Sequence, residues 1–537
     1  MGTQRVLAIG LDGYEESLER LLIEAGELPA LKRLRERSAR YLLDHGPAQR
    51  SGLAWEHVST GLSPERAGRW AALHFNPETY AVWQEGTRLR PFAAQLKSRT
   101  VVFDAPYFDL AQAPQARGVV GWGAHDPGIP PAARPDTLLP EFEARFGKYP
   151  AEQWIYGVVW PSAERAKEMG EALARAVVRR AQAARWLLGE RLPEWDLALV
   201  VVSEPHSAIE ALWHGVDPTH PLHLMPSAEP AREGLLAVYR AVDRLVGELA
   251  DAFPDAALVV FSMGGMGANH SDTASMALLP ELMYRRAFGR SLLRQPDAWA
   301  DPAASPSLGE RQDWSEAVRA NFPVDAPAPT HRFAARPFLS RLGGAARRRL
   351  FRPAEPAAES YLRRSVGWIP AMQYQPHWRT MHAFALPSYY DGRIRINLSE
   401  REAGGRVPAS EYETQCDEIE ATLRECRDPA TGGEVVGQVE RVEGRDPLTL
   451  GPTESDMVVV WKGTFCALEH PTLGRVGPIP FRRPGGHTGP YGLAYIGNAG
   501  VEAVDRGVRS AFDVVPTLFE LLGEPLPGGL SGASLLS

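Results

Sequence analysis

The sequence predicts an α/β protein built on a central, mostly parallel sheet flanked by helices. Three observations carry that reading. Val6–Leu11, residues 196–203 and residues 256–262 are near-continuous apolar runs, as strands covered on both faces require. Amphipathic helical stretches separate these runs, and such alternation places the strands parallel. Asp12 and the residues after Ser203 and Ser262 fall at strand ends, where open α/β sheets bind their ligands.

In chain order, Val6–Leu11 is the first strand and stops at Asp12-Gly13. Residues 17–25 and 29–39 read as amphipathic helices, with Leu31, Leu34 and Ala39 near one face. Residues 100–104 and 118–122 read as short strands. A long Ala/Arg-rich helix over 162–192 leads into the 196–203 strand, and a helix over 233–252 leads into 256–262. Residues 299–353 break the pattern with Pro, Ala and Arg and read as a surface-running helical and loop segment. Its Arg347-Arg348-Arg349 run is a solvated face or, alternatively, an anion- or partner-binding edge. Strand-like alternation returns over 383–398, followed by a helix over 410–426. The expected division is an α/β core of residues 1–298 and 360–537, with an insert of 299–359 capping the strand ends.

Composition narrows the function classes. The chain has 537 residues, of which 44% are hydrophobic and 23% charged, ordinary for a globular protein. A net charge of −8 argues against a nucleic-acid polymer as partner, since that affinity needs a basic surface. No apolar run reaches the roughly 18 residues that span a bilayer, so no membrane partner is expected. Residues 1–5 run straight into the first strand, with no signal-peptide pattern. Cys416, Cys426 and Cys466 leave at least one thiol unpaired and lack zinc-knuckle spacing. They read as structural, in a cytoplasmic protein.

Several motifs stand in a particular order. Asp12 ends the first strand. Ser51-Gly52-Leu53 precedes Thr60-Gly61-Leu62-Ser63-Pro64-Glu65, and Gly485-Gly486-His487-Thr488-Gly489 comes near the end. Tyr390-Asp391-Gly392-Arg393-Ile394-Arg395-Ile396-Asn397-Leu398, Asp428-Pro429-Ala430-Thr431-Gly432-Gly433 and Phe512-Asp513-Val514-Val515-Pro516-Thr517 lie in the second half. Together these resemble the alkaline phosphatase superfamily, in its type I phosphodiesterase/nucleotide pyrophosphatase branch. The resemblance implies an alkaline phosphatase-like sandwich and a hydrolase with two metals about 4 Å apart. It also implies the ligands. One metal takes the early Asp, the Ser/Thr nucleophile, and the Asp and His of a Ser-Asp-His-Gly-Met segment. The other takes an Asp-x-x-x-His pair and a late His.

Matched position by position, the ligands are half kept and half rewritten. Asp12 and Ser51 fill the first two roles, but Met263 and Gly264 stand at the next two, and neither is a hard ligand. The Asp-x-x-x-His positions hold His206 and Glu210, one helical turn apart. His487 matches the late His. The expected site is a single divalent metal on His206, Glu210 and His487, with Asp12 as a further ligand or as orienter of Ser51. The expected ion is Zn²⁺, with Mn²⁺ or Fe²⁺ as alternatives. Ser51 is the candidate nucleophile, Glu56 or His57 its candidate base. His214, His220 and His223 read as substrate-side or structural, and His270 or Asp272 could replace a lost ligand.

The reading that follows is a metal-dependent hydrolase or transferase acting on a small-molecule phosphate-type ester. Two alternatives stay open: the same fold with a new single-metal group transfer or oxidation, and a non-catalytic binding protein.

Overall fold

A computed structural model of the chain describes residues 4–157, 162–301, 305–309, 312–323, 362–442 and 444–537. Its main sheet has nine strands. In spatial order they are Asp505–Ser510, Ala39–Asp44, Gly492–Gly497, Ala257–Ser262, Val6–Leu11, Leu197–Val202, Thr100–Phe103, Arg117–Val120 and Ala132–Arg134. Gly492–Gly497 runs antiparallel to both neighbours, and Ala132–Arg134 to its one neighbour; the other pairings are parallel. The expected α/β class, a mostly parallel sheet between helices, is therefore present.

The apolar runs become the centre of this sheet because both faces are covered. Leu7, Ile9 and Leu11 face one core with Val200, Val202 and Leu258. Val6 and Ala8 face the opposite core with Leu199, Val201 and Val259. The helices Ala163–Trp186 and Ala228–Ala252 lie over the first face, where their alanines allow close packing. Ser162 caps the former by accepting from the Arg165 amide.

Three elements differ from the sequence-based expectation. The helix expected over 29–39 ends at Glu36, and Ala39–Asp44 is a strand. Ala39, Tyr41 and Leu43 alternate into the core there, a period of two that six residues show only weakly. The helix expected from 233 begins at Ala228. Within the expected surface insert, Trp314–Arg319 is a helix whose Trp314 and Val318 are buried, as is Phe322 beyond it. Those three recur at helical spacing and dock on a second core, with the Trp314 indole donating to the Pro480 carbonyl at 2.7 Å. Arg347, Arg348, Arg349 and most of 299–359 lie outside the described residues.

That second core lies under a four-stranded antiparallel sheet of Ala383–Leu386, Gly392–Ile396, Met457–Trp461 and Val436–Arg441. The helices Leu279–Phe288 and Tyr412–Glu425 contribute to it. Among the described residues no helix is long and apolar enough to cross a membrane. All three cysteines are buried and keep their thiols.

Candidate functional site

Three strand ends meet at the site. Val6–Leu11 delivers Asp12, Leu197–Val202 delivers the helix Glu204–Leu212 with His206 and Glu210, and Arg117–Val120 delivers a loop carrying His125 and Asp126. His487 arrives from the far end of the chain, after the short Gly485–Gly486 strand. Gly13 permits the first of these meetings. Its φ is +60°, and a Cβ there would stand 2.7 Å from the Cα and Cβ of His206.

A buried ionic cluster holds the elements in register. Arg180 donates to Asp104 at 2.7 Å and to both oxygens of Glu204 at 3.1 and 3.0 Å. Asp104 in turn accepts from the Trp122 and Gly123 amides at 2.8 and 2.9 Å. One guanidinium thus fixes the loop of His125 to the helix of His206. Such a triad is costly to desolvate, so its contribution lies in position more than in net stability.

Asp12 Oδ2 stands 3.1 Å from His206 Nδ1, and both residues are buried. Neither atom makes an aligned hydrogen bond. Burial opposes ionisation of Asp12, but His206, with His125 and the Trp55 indole, holds its carboxyl below the usual range. His206 Nε2 lies 3.3 Å from Glu210 Oε1 and 3.1 Å from His487 Nε2. His125 Nε2 lies 3.3 Å from Glu210 Oε2, and the rings of His125 and His206 stack at 3.8 Å. Burial pushes His125 down to about 3 and His487 well below the ordinary histidine range, so both are neutral.

These atoms fit a divalent cation. Asp12, His125 and His206 each offer a donor atom, and the donors lie within 4.8 Å of one another. Two ligands at about 2.0–2.1 Å from a tetrahedral ion sit about 3.3 Å apart, close to the Asp12–His206 separation. Nε2 of His125 is engaged by Glu210 and Nε2 of His206 by His487, so the Nδ1 of His206 that faces Asp12 is open to a cation.

The expected residues are distributed unevenly. Asp12, His206 and His487 line one pocket with His125, Trp55, Tyr107 and Tyr390. Glu210 lies one layer out. It accepts from the Gly157 amide at 3.1 Å and pairs closely with Arg483, which also donates to Asp272 at 2.6 and 3.0 Å. Ser51 turns its hydroxyl into its own turn, donating to the Ala48 carbonyl at 2.7 Å and accepting from the Leu53 amide at 3.1 Å. It lines a neighbouring groove with Arg50 and Arg393. Glu56 and His57 are buried, Glu56 against Arg69 and His57 against His45.

Where the resemblance implies two further ligands, Met263 is buried and Gly264 faces Gln49. The Gln49 amide donates to the Gly489, Gly265 and His487 carbonyls at 3.0, 3.3 and 3.4 Å. His214, His220 and His223 tie their own loop together: His214 meets Ser227, and His223 meets the His214 carbonyl. Sequence reasoning missed His125, Asp126 and Arg483. The His-Asp pair follows a short strand, so the rule that located Asp12 applies to it too.

Residues 6–302 match the model of a family described as type I phosphodiesterase/nucleotide pyrophosphatase. No curated protein matches the chain. Among solved structures, phosphonoacetate hydrolase from Sinorhizobium meliloti 1021 with phosphonoformate is 15% identical, over 97% of this chain and 96% of that one, with a TM-score of 0.49. An inactive murine ectonucleotide pyrophosphatase/phosphodiesterase 5 with AMP is 12% identical, over 99% and 97%, with a TM-score of 0.48. The human ectonucleotide pyrophosphatase/phosphodiesterase 5 is 10% identical, over 99% and 97%, with a TM-score of 0.46.

Proposed function

The chain belongs to the type I phosphodiesterase/nucleotide pyrophosphatase family, a family of phosphoester hydrolases, and on that premise we propose that it hydrolyses a small-molecule phosphate-type ester using one divalent cation held by Asp12, His125 and His206. The observation that carries this reading is the buried, unaligned pair of Asp12 Oδ2 and His206 Nδ1, 3.1 Å apart. A carboxylate and two imidazoles suit Zn²⁺. Bound there, the ion supplies Lewis-acid polarisation of a phosphoryl oxygen and a water acidified toward neutrality.

The remaining work falls to side chains. Asp12 brings a negative charge that burial alone would not sustain. Glu210 orients the imidazoles of His206 and His125, and Arg483 balances its charge. His487 closes the far side of His206, edge-on to Tyr390 at 4.7 Å between ring centroids. Trp55, Tyr107 and Tyr390 line the pocket and restrict water, which strengthens every charge interaction within it. The Ser51 hydroxyl is engaged in its own turn, so water is the nucleophile of this reading.

The test pairs elemental analysis with hydrolysis of bis(p-nitrophenyl) phosphate. One equivalent of metal per chain is expected, lost together with hydrolysis in Asp12→Ala and His206→Ala. Glu210→Gln is expected to weaken metal affinity by about 10- to 100-fold without abolishing it. Full hydrolysis by metal-free protein, or no divalent ion held after supplementation, would refute the proposal.

A further inference from the structure

Tyr107 and Tyr390 line the same pocket as Asp12 and His206. Tyr107 is 2% exposed, and its amide donates to the Pro127 carbonyl at 2.7 Å, which ties it to the loop of His125 and Asp126. Tyr390 stands edge-on to His487, with ring centroids 4.7 Å apart, and His487 Nε2 lies 3.1 Å from His206 Nε2. A left-handed glycine makes room for each ring. A Cβ on Gly128 (φ +63°) would run into the Tyr107 ring, and one on Gly52 (φ +73°) would stand 2.7 Å from Tyr390 Cε2. Tyr107 (φ +57°) and Asp126 (φ +44°) are left-handed themselves. That backbone costs a residue with a side chain free energy, and such residues gather at functional sites.

The hydrogen-bond donors of the lining fall into two groups. The Gln49 amide donates to three carbonyls, the Ser262 hydroxyl to those of Tyr14 and Gly264 at 3.3 and 3.2 Å, and the Trp55 indole to Asp12. The hydroxyls of Tyr107 and Tyr390 have no partner among the described residues. Neither is closed off from accessible space, as the partnerless Tyr14 hydroxyl is. No Lys or Arg lines the pocket, so these phenols are its unengaged hydroxyl donors. The cavity encloses about 40 Å³, the room of a few water molecules. A phosphoryl group that reaches Asp12 and His206 therefore lies beside both rings. Burial, with Asp126 next, raises both phenols above their usual range, so both keep the proton they would donate.

We propose that Tyr107 and Tyr390 are catalytic residues of this site, and that their hydroxyls donate to the non-bridging phosphoryl oxygen that the single cation leaves free. The inference rests on the hydrolase reading above. The transition state of phosphoryl transfer spreads charge over the equatorial oxygens. Donors already aimed at that charge, in a site poor in water, stabilise it without reorganising. Both rings are held in this way, Tyr107 by its backbone and Gly128, Tyr390 by Gly52 and His487. A hydroxyl without an internal partner also gives up no protein hydrogen bond when the substrate arrives. Each phenol keeps its proton throughout, so the proton balance of hydrolysis is unchanged.

The experiment uses the full chain loaded with Zn²⁺ and bis(p-nitrophenyl) phosphate. Tyr107→Phe and Tyr390→Phe each remove a hydroxyl that no protein group accepts from or donates to, so metal content and thermal midpoint should stay at wild-type values. Each should lower kcat by about 100-fold or more. Each should also weaken orthovanadate binding by about tenfold, as the loss of one hydrogen bond to a charged group does. A kcat loss below about threefold in either variant overturns the proposal. A second measurement needs neither a variant nor turnover. The ¹³Cζ shifts of Tyr107 and Tyr390 in the wild type should move on titration with orthovanadate, and unmoved shifts also overturn it. A wild type that turns over no ester while those shifts do move refutes the hydrolase reading alone.

Discussion

Gly13→Ala is a one-carbon test of how the site is assembled. The added Cβ meets two penalties. A φ of +60° is left-handed, which costs a non-glycine residue about 1–2 kcal/mol. The Cβ also stands 2.7 Å from His206 Cα and Cβ, and the backbone at that point is the first turn of a buried helix. Overpacking of this kind costs about 1–3 kcal/mol. Together the two destabilise the protein by about 2–5 kcal/mol. Relief requires His206 to retreat by about 0.7 Å to reach ordinary van der Waals contact, which widens the gap to Asp12. Metal affinity should then fall by about 10- to 100-fold, as when a ligand's support is removed. The assay is chelator competition for Zn²⁺, beside thermal unfolding of the metal-free protein. Wild-type affinity together with a wild-type midpoint would refute the close approach of strand end and helix.

Further perturbations separate other parts of the structure. Arg483→Ala leaves the buried Glu210 without its guanidinium, while Asp272 keeps Arg482, and should cost about 3–5 kcal/mol in denaturant unfolding, more than Glu210→Ala, which leaves Arg483 its pair with Asp272. Equal losses would contradict the shared role of Arg483. Glu19 accepts from the Tyr495 hydroxyl at 2.6 Å, and burial raises it to about 7. Because its folded pKa lies above the unfolded value, stability from this group is full below about pH 4.5 and declines as pH rises through about 7. Glu19→Gln should flatten that slope between pH 5 and pH 8, as urea midpoints across pH will show; an unchanged slope would exclude the assignment. Burial raises Cys416 and Cys466 to about 11 and Cys426 to about 12, so native protein should resist thiol labelling until unfolded. Rapid labelling of the native chain would contradict this. Met263→Asp with Gly264→His and Gln49→Ala should raise bound Zn²⁺ from one equivalent to two, whereas the first two changes alone should not, because Gln49 lies 3.2 Å from a Cβ at 264. A second equivalent without the Gln49 change would show that the amide does not block that position.

Much of the architecture was legible because its strands are buried on both faces, and such strands advertise themselves as unbroken apolar runs. Ala39–Asp44 did not, because it is short and its partners, Gly492–Gly497 and Asp505–Ser510, lie some 450 residues away. The second core escaped for a related reason, since residues around Phe75, Leu279, Trp378 and Met457 converge from separate segments. At the site, Asp12, His206 and His487 were legible from strand ends and motif order. His125 was not, lying in a glycine-rich loop without periodicity. Side-chain direction was beyond sequence as well: spacing placed Glu210 beside His206 but gave no sign that Arg483 would claim it. Nor did it show that the Ser51 hydroxyl would close its own turn.

Gly492–Gly497 sits in the middle of the main sheet although it is synthesised long after the strands Ala39–Asp44 and Ala257–Ser262 that it joins. A ribosome that has not yet reached residue 492 has therefore made a sheet with a slot in it. Until that strand emerges, Ala257–Ser262 presents an open edge, and Ala39–Asp44 has no sheet partner. Open apolar edges invite pairing with other chains. The same late segment carries Arg483 and His487, so closing the sheet and completing the pocket are one event. Premature termination in this region yields an adhesive intermediate, and a chaperone that shields the slot during translation would govern the yield of active protein.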